Sequence, residues 1–384
     1  MINKRILVVI DSLGYGGAER LLVSLLPYIE KYNYKFDVIV LFSDLSLKSE
    51  MKLAGINVIA LNQKYSDRWS IFKLLNIFRS AVNNEYDVIW GHLFFGNLYS
   101  GLYGMFCRSA KIIWTLHSPC YSTLNKRSFY HTLRQLFERF FGKFVADSIV
   151  AVSNAVAEDY RSLMKWKIID VIYNGVDFSH FPKDTTKHNK LKNRYKYNVD
   201  TDVFMIITPG RYSPEKGHLV MIDAIKILEE KYKIRVTWVT VGNGSFKSTI
   251  QKKIINKELK SRVLLLDAIK HIDLLDLINS SDMAVVPSIR EPFGIIAVEV
   301  MALGIPMIVS QVDGLIEVVK GSDCALTFSP GCAHDLASNI FNIYYKLDYY
   351  EDKCELDIAR VRKSFDISVC ANKWAQKFSD VCQQ

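Results

Sequence analysis

The sequence contains no Cys-x-x-Cys pair and no regularly spaced set of cysteines. Its seven (Cys107, Cys120, Cys324, Cys332, Cys354, Cys370 and Cys382) are odd in number and scattered. That excludes a zinc ribbon and a disulfide framework and suits a reducing cytosol. Proline (9) and glycine (19) are sparse in 384 residues, so the chain is neither fibrous nor low-complexity. The first residues do not read as a secretory leader: Lys4 and Arg5 precede only five apolar residues before Asp11. The one long uncharged window, residues 88–107, holds Gly91, Gly96, Gly101 and Gly104 with His92, Asn97 and Ser100. It reads as a buried strand, a turn and an apolar helix rather than a membrane span.

What is present is a globular composition, 49% hydrophobic and 23% charged, with 20 Tyr and 21 Phe to fill large cores. The length suits two domains of roughly 150–200 residues. Apolar runs of strand length fall at residues 5–10, 36–42, 58–61, 88–90, 111–116, 148–152 and 171–173, with helical spacing at 18–32 and 71–82. After a polar break at 184–200 the alternation restarts, with strands at 203–208, 236–241, 263–266, 283–286 and 307–309. Apolar strands without alternation, separated by helices, predict parallel sheets covered on both faces. The expected fold is α/β, two doubly wound Rossmann-like domains facing a central cleft. Residues 1–183 form the first domain, 184–200 a linker and 201–366 the second domain, and a last helix over 367–384 crosses back to the first.

Candidate site residues follow the strands. After the first strand come Gly14, Gly16 and Gly17, which permit a tight turn before a helix N-terminus that favours an anion. The dinucleotide fingerprint would need glycine where Glu19 stands, so a dehydrogenase is disfavoured. The same segment also suits a turn that merely opens a helix. In Pro209-Gly-Arg-Tyr-Ser-Pro-Glu-Lys-Gly217, Arg211 and Lys216 follow a strand and fit a clamp on a diphosphate, or two solvated surface charges. Gly242-Asn-Gly244 is another strand-end turn. Pro287-Ser-Ile-Arg-Glu-Pro-Phe-Gly294 opens a helix whose first amides, near Phe293, Gly294, Ile295 and Ile296, would face a phosphate. Glu291 and Glu299 sit in the apolar stretch IREPFGIIAVEVMALGIP, where a charge needs a polar ligand or a cation beside it. A solvent-facing Glu299 is the plainer alternative. Asp200-Thr-Asp202 has the Asp-x-Asp form of a metal-dependent transferase, but it precedes a strand and reads as a turn.

In this order the pieces GGAER, SNAV (153–156), NGVD (174–177), GRYSPEKG, GNG, the EPFG helix with Glu-x7-Glu, and DGLIE (313–317) resemble the family 4 retaining glycosyltransferases of GT-B architecture, of the bacterial surface-polysaccharide type. The resemblance spans nearly the whole chain. It implies that Arg211 and Lys216 hold the donor diphosphate, that Glu299 accepts from ribose hydroxyls and Glu291 from hydroxyls of the donor sugar, and that the amides of Gly294, Ile295 and Ile296 cap the phosphates. Gly16 and Gly17 would lie near donor phosphates and acceptor, Gly242 near the donor, and His117 near the transferred sugar. Taken alone, His117 reads more simply as a hydrogen-bonded loop histidine. The implied reaction uses a nucleotide-sugar and needs neither metal nor other cofactor, since the two cations supply the charge. One departure is Asp267, where the family often has glycine, which leaves the reader of the nucleobase open.

The net charge of +9 asks for an anionic partner: nucleic acid, a phosphorylated substrate or lipid headgroups. Residues 1–180 hold 21 Lys and Arg against 15 Asp and Glu, and within 108–143 stand Arg108, Lys111, Lys126, Arg127, Arg134, Arg139 and Lys143 against Glu138 alone. Phe129, Leu133, Leu136, Phe137, Phe140, Phe141 and Phe144 share that stretch at helical spacing. This predicts either a helix packed on its own sheet or a basic amphipathic surface for an anionic membrane. No nucleic-acid recognition module is visible. The expected enzyme is therefore cytoplasmic, peripheral on the inner membrane face, with a lipid-linked or saccharide acceptor. A nucleotide-sugar epimerase, a phosphorylase and a catalytically idle glycan- or partner-binding subunit are the other readings. The epimerase would lack GGAER and the EPFG helix, a pyridoxal-dependent phosphorylase needs a far longer chain, and four site residues together argue against an idle subunit.

Overall fold

The computed structural model describes residues 4–82, 85–106, 109–119, 129–182 and 187–383, with backbone alone at 129–131 and 187–190. Cys107, Arg108, Cys120, Lys126 and Arg127 and the side chain of Phe129 lie outside the described residues. The chain divides into two compact units, Met1–Asp177 with Phe365–Gln384, and Phe178–Ser364.

The first unit runs β1 (Lys4–Ile10), α1 (Gly17–Glu30), β2 (Tyr34–Phe42), α2 (Lys48–Leu53), β3 (Asn57–Gln63), α3 (Ile71–Ala81), β4 (Val88–His92), α4 (Leu93–Gly104), β5 (Lys111–Leu116), α5 (Phe129–Phe144), β6 (Ser148–Ala151), α6 (Asn154–Leu163) and β7 (Ile169–Val171). The sheet order is β3-β2-β1-β4-β5-β6-β7, all parallel. The direction of winding therefore reverses between β1 and β4. Within the uncharged window, Val88–His92 is β4 and Leu93–Gly104 is α4, and among the described residues no helix is long and apolar enough to cross a membrane. Two of the short motifs are scaffolding. Ser153 of SNAV caps α6, its hydroxyl accepting from the Val156 amide at 3.1 Å. Gly175 of NGVD lets the returning chain approach, since a Cβ there would stand 2.7 Å from the Ile367 Cα.

The second unit runs α7 (Lys187–Lys196), β8 (Phe204–Pro209), α8 (His218–Glu230), β9 (Val236–Val241), α9 (Lys247–Asn256), β10 (Val263–Leu266), α10 (His271–Asn279), β11 (Met283–Val286), α11 (Ile295–Ala302), β12 (Met307–Ser310), α12 (Asp313–Val319), β13 (Ala325–Phe328), α13 (Ala333–Tyr345) and α14 (Leu347–Phe365). Its sheet, β10-β9-β8-β11-β12-β13, is again parallel, with the reversal between β8 and β11. Strand β13 carries only four residues and no apolar run long enough to predict it.

The polar stretch 184–200, expected as a linker, is corrected for its greater part. Lys187–Lys196 is a helix fastened to the second unit chiefly through buried Arg194. Arg194 donates to the carbonyls of Ser280 (2.8 Å), Val203 (3.0 Å) and Thr201 (3.3 Å) and pairs with Asp282 at 2.7 Å. Lys196 adds an ion pair to Asp273 of α10 at 2.6 Å, and a polar composition hid the helix because its attachments are themselves polar.

The last helix, α15 (Ile367–Gln383), belongs to the first unit. Backbone bonds from Val176 N–H to the Phe365 carbonyl (2.8 Å) and from Ile367 N–H to the Val176 carbonyl (3.0 Å) fix its start. Ile367, Cys370, Ala371, Trp374 and Phe378 then enter the same core as β1, α1 and β2. Phe378 is fully buried between the rings of Tyr34 (centroids 5.4 Å), Trp90 (5.0 Å) and Trp374 (5.7 Å). Phe378→Ala should cost about 3–5 kcal/mol in denaturant unfolding, because a rigid sheet cannot collapse into the cavity. A loss under about 1 kcal/mol would show that α15 is not part of this core.

Candidate functional site

In an open parallel sheet, ligands bind beyond the carboxyl ends of the strands where the winding reverses. In the second unit that point lies between β8 and β11, and the predicted residues gather there. The loop after β8 is braced by its neighbours: Gly210 N–H donates to the Val241 carbonyl (3.0 Å), Tyr212 N–H to the Asn243 carbonyl (2.9 Å) and Gly242 N–H to the Leu266 carbonyl (3.1 Å). Gly217 takes φ +68°, and a Cβ there would strike the Pro287 carbonyl, so only glycine lets the β8 loop lie against the β11 loop. Ile289 N–H donates to the Glu215 carbonyl at 2.7 Å, a second tie between the loops.

Across this point the Lys216 ammonium and the Glu291 carboxylate pair at 2.5 Å, and the Ser288 hydroxyl donates to the same oxygen at 3.0 Å. Glu291 is almost buried. Its backbone is held by α12, whose Gly314 N–H donates to the Glu291 carbonyl (3.0 Å) while the Asp313 carboxylate accepts from Glu291 N–H (3.3 Å). The DGLIE segment thus positions Glu291, a role not legible from its sequence. Arg211 is exposed on the same loop, and its charge, after that of burial and local hydrogen bonds, bears on Glu215.

Gly294, at φ +91°, precedes α11 and offers no side-chain cap to the first turn, which begins with Ile295 and Ile296; Phe293 is buried. Glu299, inside α11, is 6% exposed, so it does not face solvent. Its carboxylate oxygen meets His271 Nε2 at 2.8 Å, at the first residue of α10. His271 was missed by sequence reasoning. The signal that a partner was needed lay in the apolar surroundings of Glu299, but α10 is far away in sequence.

In the first unit the reversal lies between β1 and β4. Asp11, the residue after β1, accepts from Gly96 N–H at 2.7 Å and from the Phe95 amide, across the gap at the N-terminus of α4. Burial pushes its pKa up to about 7 against those amides and Arg134, with Glu19 adding to the rise. Gly16 precedes α1, and Gly17, exposed, begins it. The carboxylate of Glu19 folds back over Gly16, where a Cβ would stand 2.1 Å from it, and accepts from the Ser12 hydroxyl at 3.2 Å. The α1 terminus expected to welcome an external anion thus already faces one of the chain's own. His117, after β5, lies with its Nε2 2.8 Å from His92 Nδ1. It is a hydrogen-bonded histidine at the sheet edge, as its bare sequence context suggested.

Helix α5 divides the predicted aromatic face in two. Phe141 is buried beside Phe137, whereas Leu136, Phe140 and Phe144 are 56%, 53% and 66% exposed. Arg139 and Lys143 lie over the Trp166 ring on the outer side. Arg134 is a correction to the free basic stretch: it pairs with buried Glu138 and covers the Phe94 ring at 4.3 Å.

The elevated Asp11 pKa has a definite sign. Between pH 4 and about 7 the folded state binds a proton that the unfolded state has released, so this group's contribution to stability falls as pH rises. The melting temperature of Asp11→Asn minus that of the wild type should grow by several degrees from pH 4 to 7 and level off above. A pH-independent difference would refute the raised pKa.

Residues 15–180 match the family profile described as Glycosyltransferase Family 4, and residues 189–346 that of Glycosyl transferases group 1. An uncharacterised glycosyltransferase of Methanocaldococcus jannaschii is 30% identical over 45% of this chain and 44% of its own length. The N-acetyl-alpha-D-glucosaminyl L-malate synthase of Bacillus anthracis is 29% identical over 56% and 53%. The chain spans about half the length of the curated relatives it matches. Among solved structures, Anabaena HepE in complex with UDP and glucose superposes with a TM-score of 0.83 at 20% identity, over 99% of this chain and 100% of that one. WaaG, a glycosyltransferase involved in lipopolysaccharide biosynthesis, gives 0.75 at 12% identity over 97% and 99%. The fold is that of the GT-B glycosyltransferases. Each half of the chain thus matches a glycosyltransferase profile, that of Family 4 before the polar break and that of group 1 after it.

Proposed function

We propose that the chain transfers a sugar from a nucleoside diphosphate, a UDP-linked hexose or N-acetylhexosamine, to a lipid-linked or saccharide acceptor, with retention at the anomeric carbon, in the building of a surface glycan. The observation that carries this is the Lys216–Glu291 pair at the winding reversal of the second unit, beside the uncapped start of α11. Lys216 and exposed Arg211 offer positive charge to a diphosphate, and the α11 amides offer donors. A diphosphate arriving there neutralises Lys216 and releases Glu291 to accept from the hydroxyls of the donor sugar. Glu299, held by His271, accepts from the ribose. Charge building on the departing diphosphate is stabilised by Arg211 and Lys216, so no metal is invoked. The UDP complexes of Anabaena HepE, a protein of the same fold, support a uridine donor. An epimerase or an idle subunit is favoured by none of the named relatives.

Incubating the protein with a panel of nucleotide-sugars and following nucleotide release tests the reading, and absence of binding and turnover with every donor would overturn it. Arg211→Ala and Glu299→Gln should each lower kcat/KM for the donor by roughly 100-fold with an unchanged circular dichroism spectrum. Unaltered kinetics would remove these residues from the site.

A second part of the proposal is an anionic membrane as the surface on which the lipid-linked acceptor is met. It is supported by Leu136, Phe140 and Phe144 standing exposed beside Arg139, Lys143 and Trp166. The protein should float with phosphatidylglycerol vesicles at low salt, and Phe140→Ser with Phe144→Ser should lose most of that binding. No flotation of the wild type at low salt would discard the membrane.

A further inference from the structure

Parallel pairing of β4 with β5 sets His92 beside Thr115, so His117, two residues on, leaves the same sheet edge next to it. The two rings meet through His92 Nδ1 and His117 Nε2 at 2.8 Å, with centroids 5.1 Å apart. His92 is 1% exposed, and its ring packs on Trp90 at 4.3 Å. Trp90 is itself fixed by an indole N–H bond to the Thr115 hydroxyl at 2.7 Å and by the Trp374 ring. The second nitrogen of His92, Nε2, is buried and has no hydrogen-bond partner among the described residues.

Burial keeps both rings neutral, lowering the pKa of His117 to about 4 and that of His92 well below the ordinary value. Two neutral imidazoles sharing one hydrogen bond have two proton arrangements. In one, His117 Nε2–H donates to His92 Nδ1, and the His92 proton sits on Nε2, a buried N–H without an acceptor. In the other, His92 Nδ1–H donates to His117 Nε2, and the orphaned Nε2 of His92 is only a lone pair. Buried orphan N–H groups are the rarer and costlier of the two. The second arrangement leaves the His117 proton on Nδ1, the nitrogen that His92 does not engage.

We propose that His92 is a positioning residue that locks His117 in its Nδ1–H tautomer, so that His117 presents a donor rather than a basic nitrogen to a hydroxyl of a ligand bound at this edge of the first unit's sheet. The hydroxyl-bearing ligand in this statement rests on the transferase reading, and the tautomer does not. Neither histidine then serves as a proton acceptor in the reaction.

Long-range proton–nitrogen NMR on 15N-histidine-labelled full-length protein at pH 7 tests the assignment, with His92 and His117 identified from the His92→Asn and His117→Gln spectra. The wild type should show the His117 proton on Nδ1 and Nε2 in the unprotonated range. His92→Asn, whose amide nitrogen replaces Nδ1 as donor, should keep that pattern. His92→Phe should shift the His117 Nε2 resonance toward the protonated range. A wild-type His117 protonated on Nε2, or a His117 pattern unchanged in His92→Phe, would overturn the proposal. If His92→Phe does not fold, the wild-type and His92→Asn spectra decide. This readout needs no donor, so failure of the transferase reading appears in the nucleotide-sugar panel and failure of the histidine assignment in the spectra.

Discussion

Parallel strand pairing governs where chemistry can occur in this chain. Each sheet is parallel throughout, so in each unit every strand ends on the same edge. The loops that leave that edge carry Asp11, His117, Arg211, Lys216 and Glu291. Because successive strands are added outward from the middle, the winding reverses once per sheet, and the loops on either side diverge. Asp11 and Lys216 stand at those two reversals. Each reaches across to the other branch, Asp11 to the amides that open α4 and Lys216 to Glu291.

The carboxylates at these edges are stabilised in different ways, which follows from what each reversal provides. A buried charge without a partner is costly, so each carries one already. Glu291 has a lysine and a hydroxyl, Glu299 an imidazole, and Asp11 backbone amides that do not fully offset its burial. Partners of this kind can be exchanged for the phosphates and hydroxyls of a ligand at little net cost, because one polar contact replaces another. The loops holding them are stiff for a separate reason. Gly217 and Gly294 occupy left-handed backbone positions that pack loop against loop and leave no room for a side chain.

Much of this was legible from the sequence. The strands at 111–116, 236–241, 263–266 and 283–286 were placed to the residue, because each is a short, largely apolar run bounded by turns. Less regular segments were misread. Strand β7 lies at Ile169–Val171 rather than 171–173, and β13 was missed, because each is short and broken by a polar residue, Asp170 and Thr327. The helix at Lys187–Lys196 was masked by its own charge, since it is attached through charged side chains, Arg194 to Asp282 and Lys196 to Asp273. The aromatic residues of α5 do share one broad stripe, but only one side of it meets the core: Phe141 is buried, whereas Leu136, Phe140 and Phe144 stand exposed.

The sequence by itself determined the elements and the chemical types available at their ends, because hydrophobic periodicity, glycine placement and charge are local properties. It named Arg211, Lys216, Glu291, Glu299 and His117, and it marked Glu299 as needing a partner. Only the tertiary structure decided who the partners are. Lys216 meets Glu291, His271 meets Glu299, and His92 meets His117 across separations of 75, 28 and 25 residues. Strand register and loop packing fix those meetings, and neither can be read from the residues that meet.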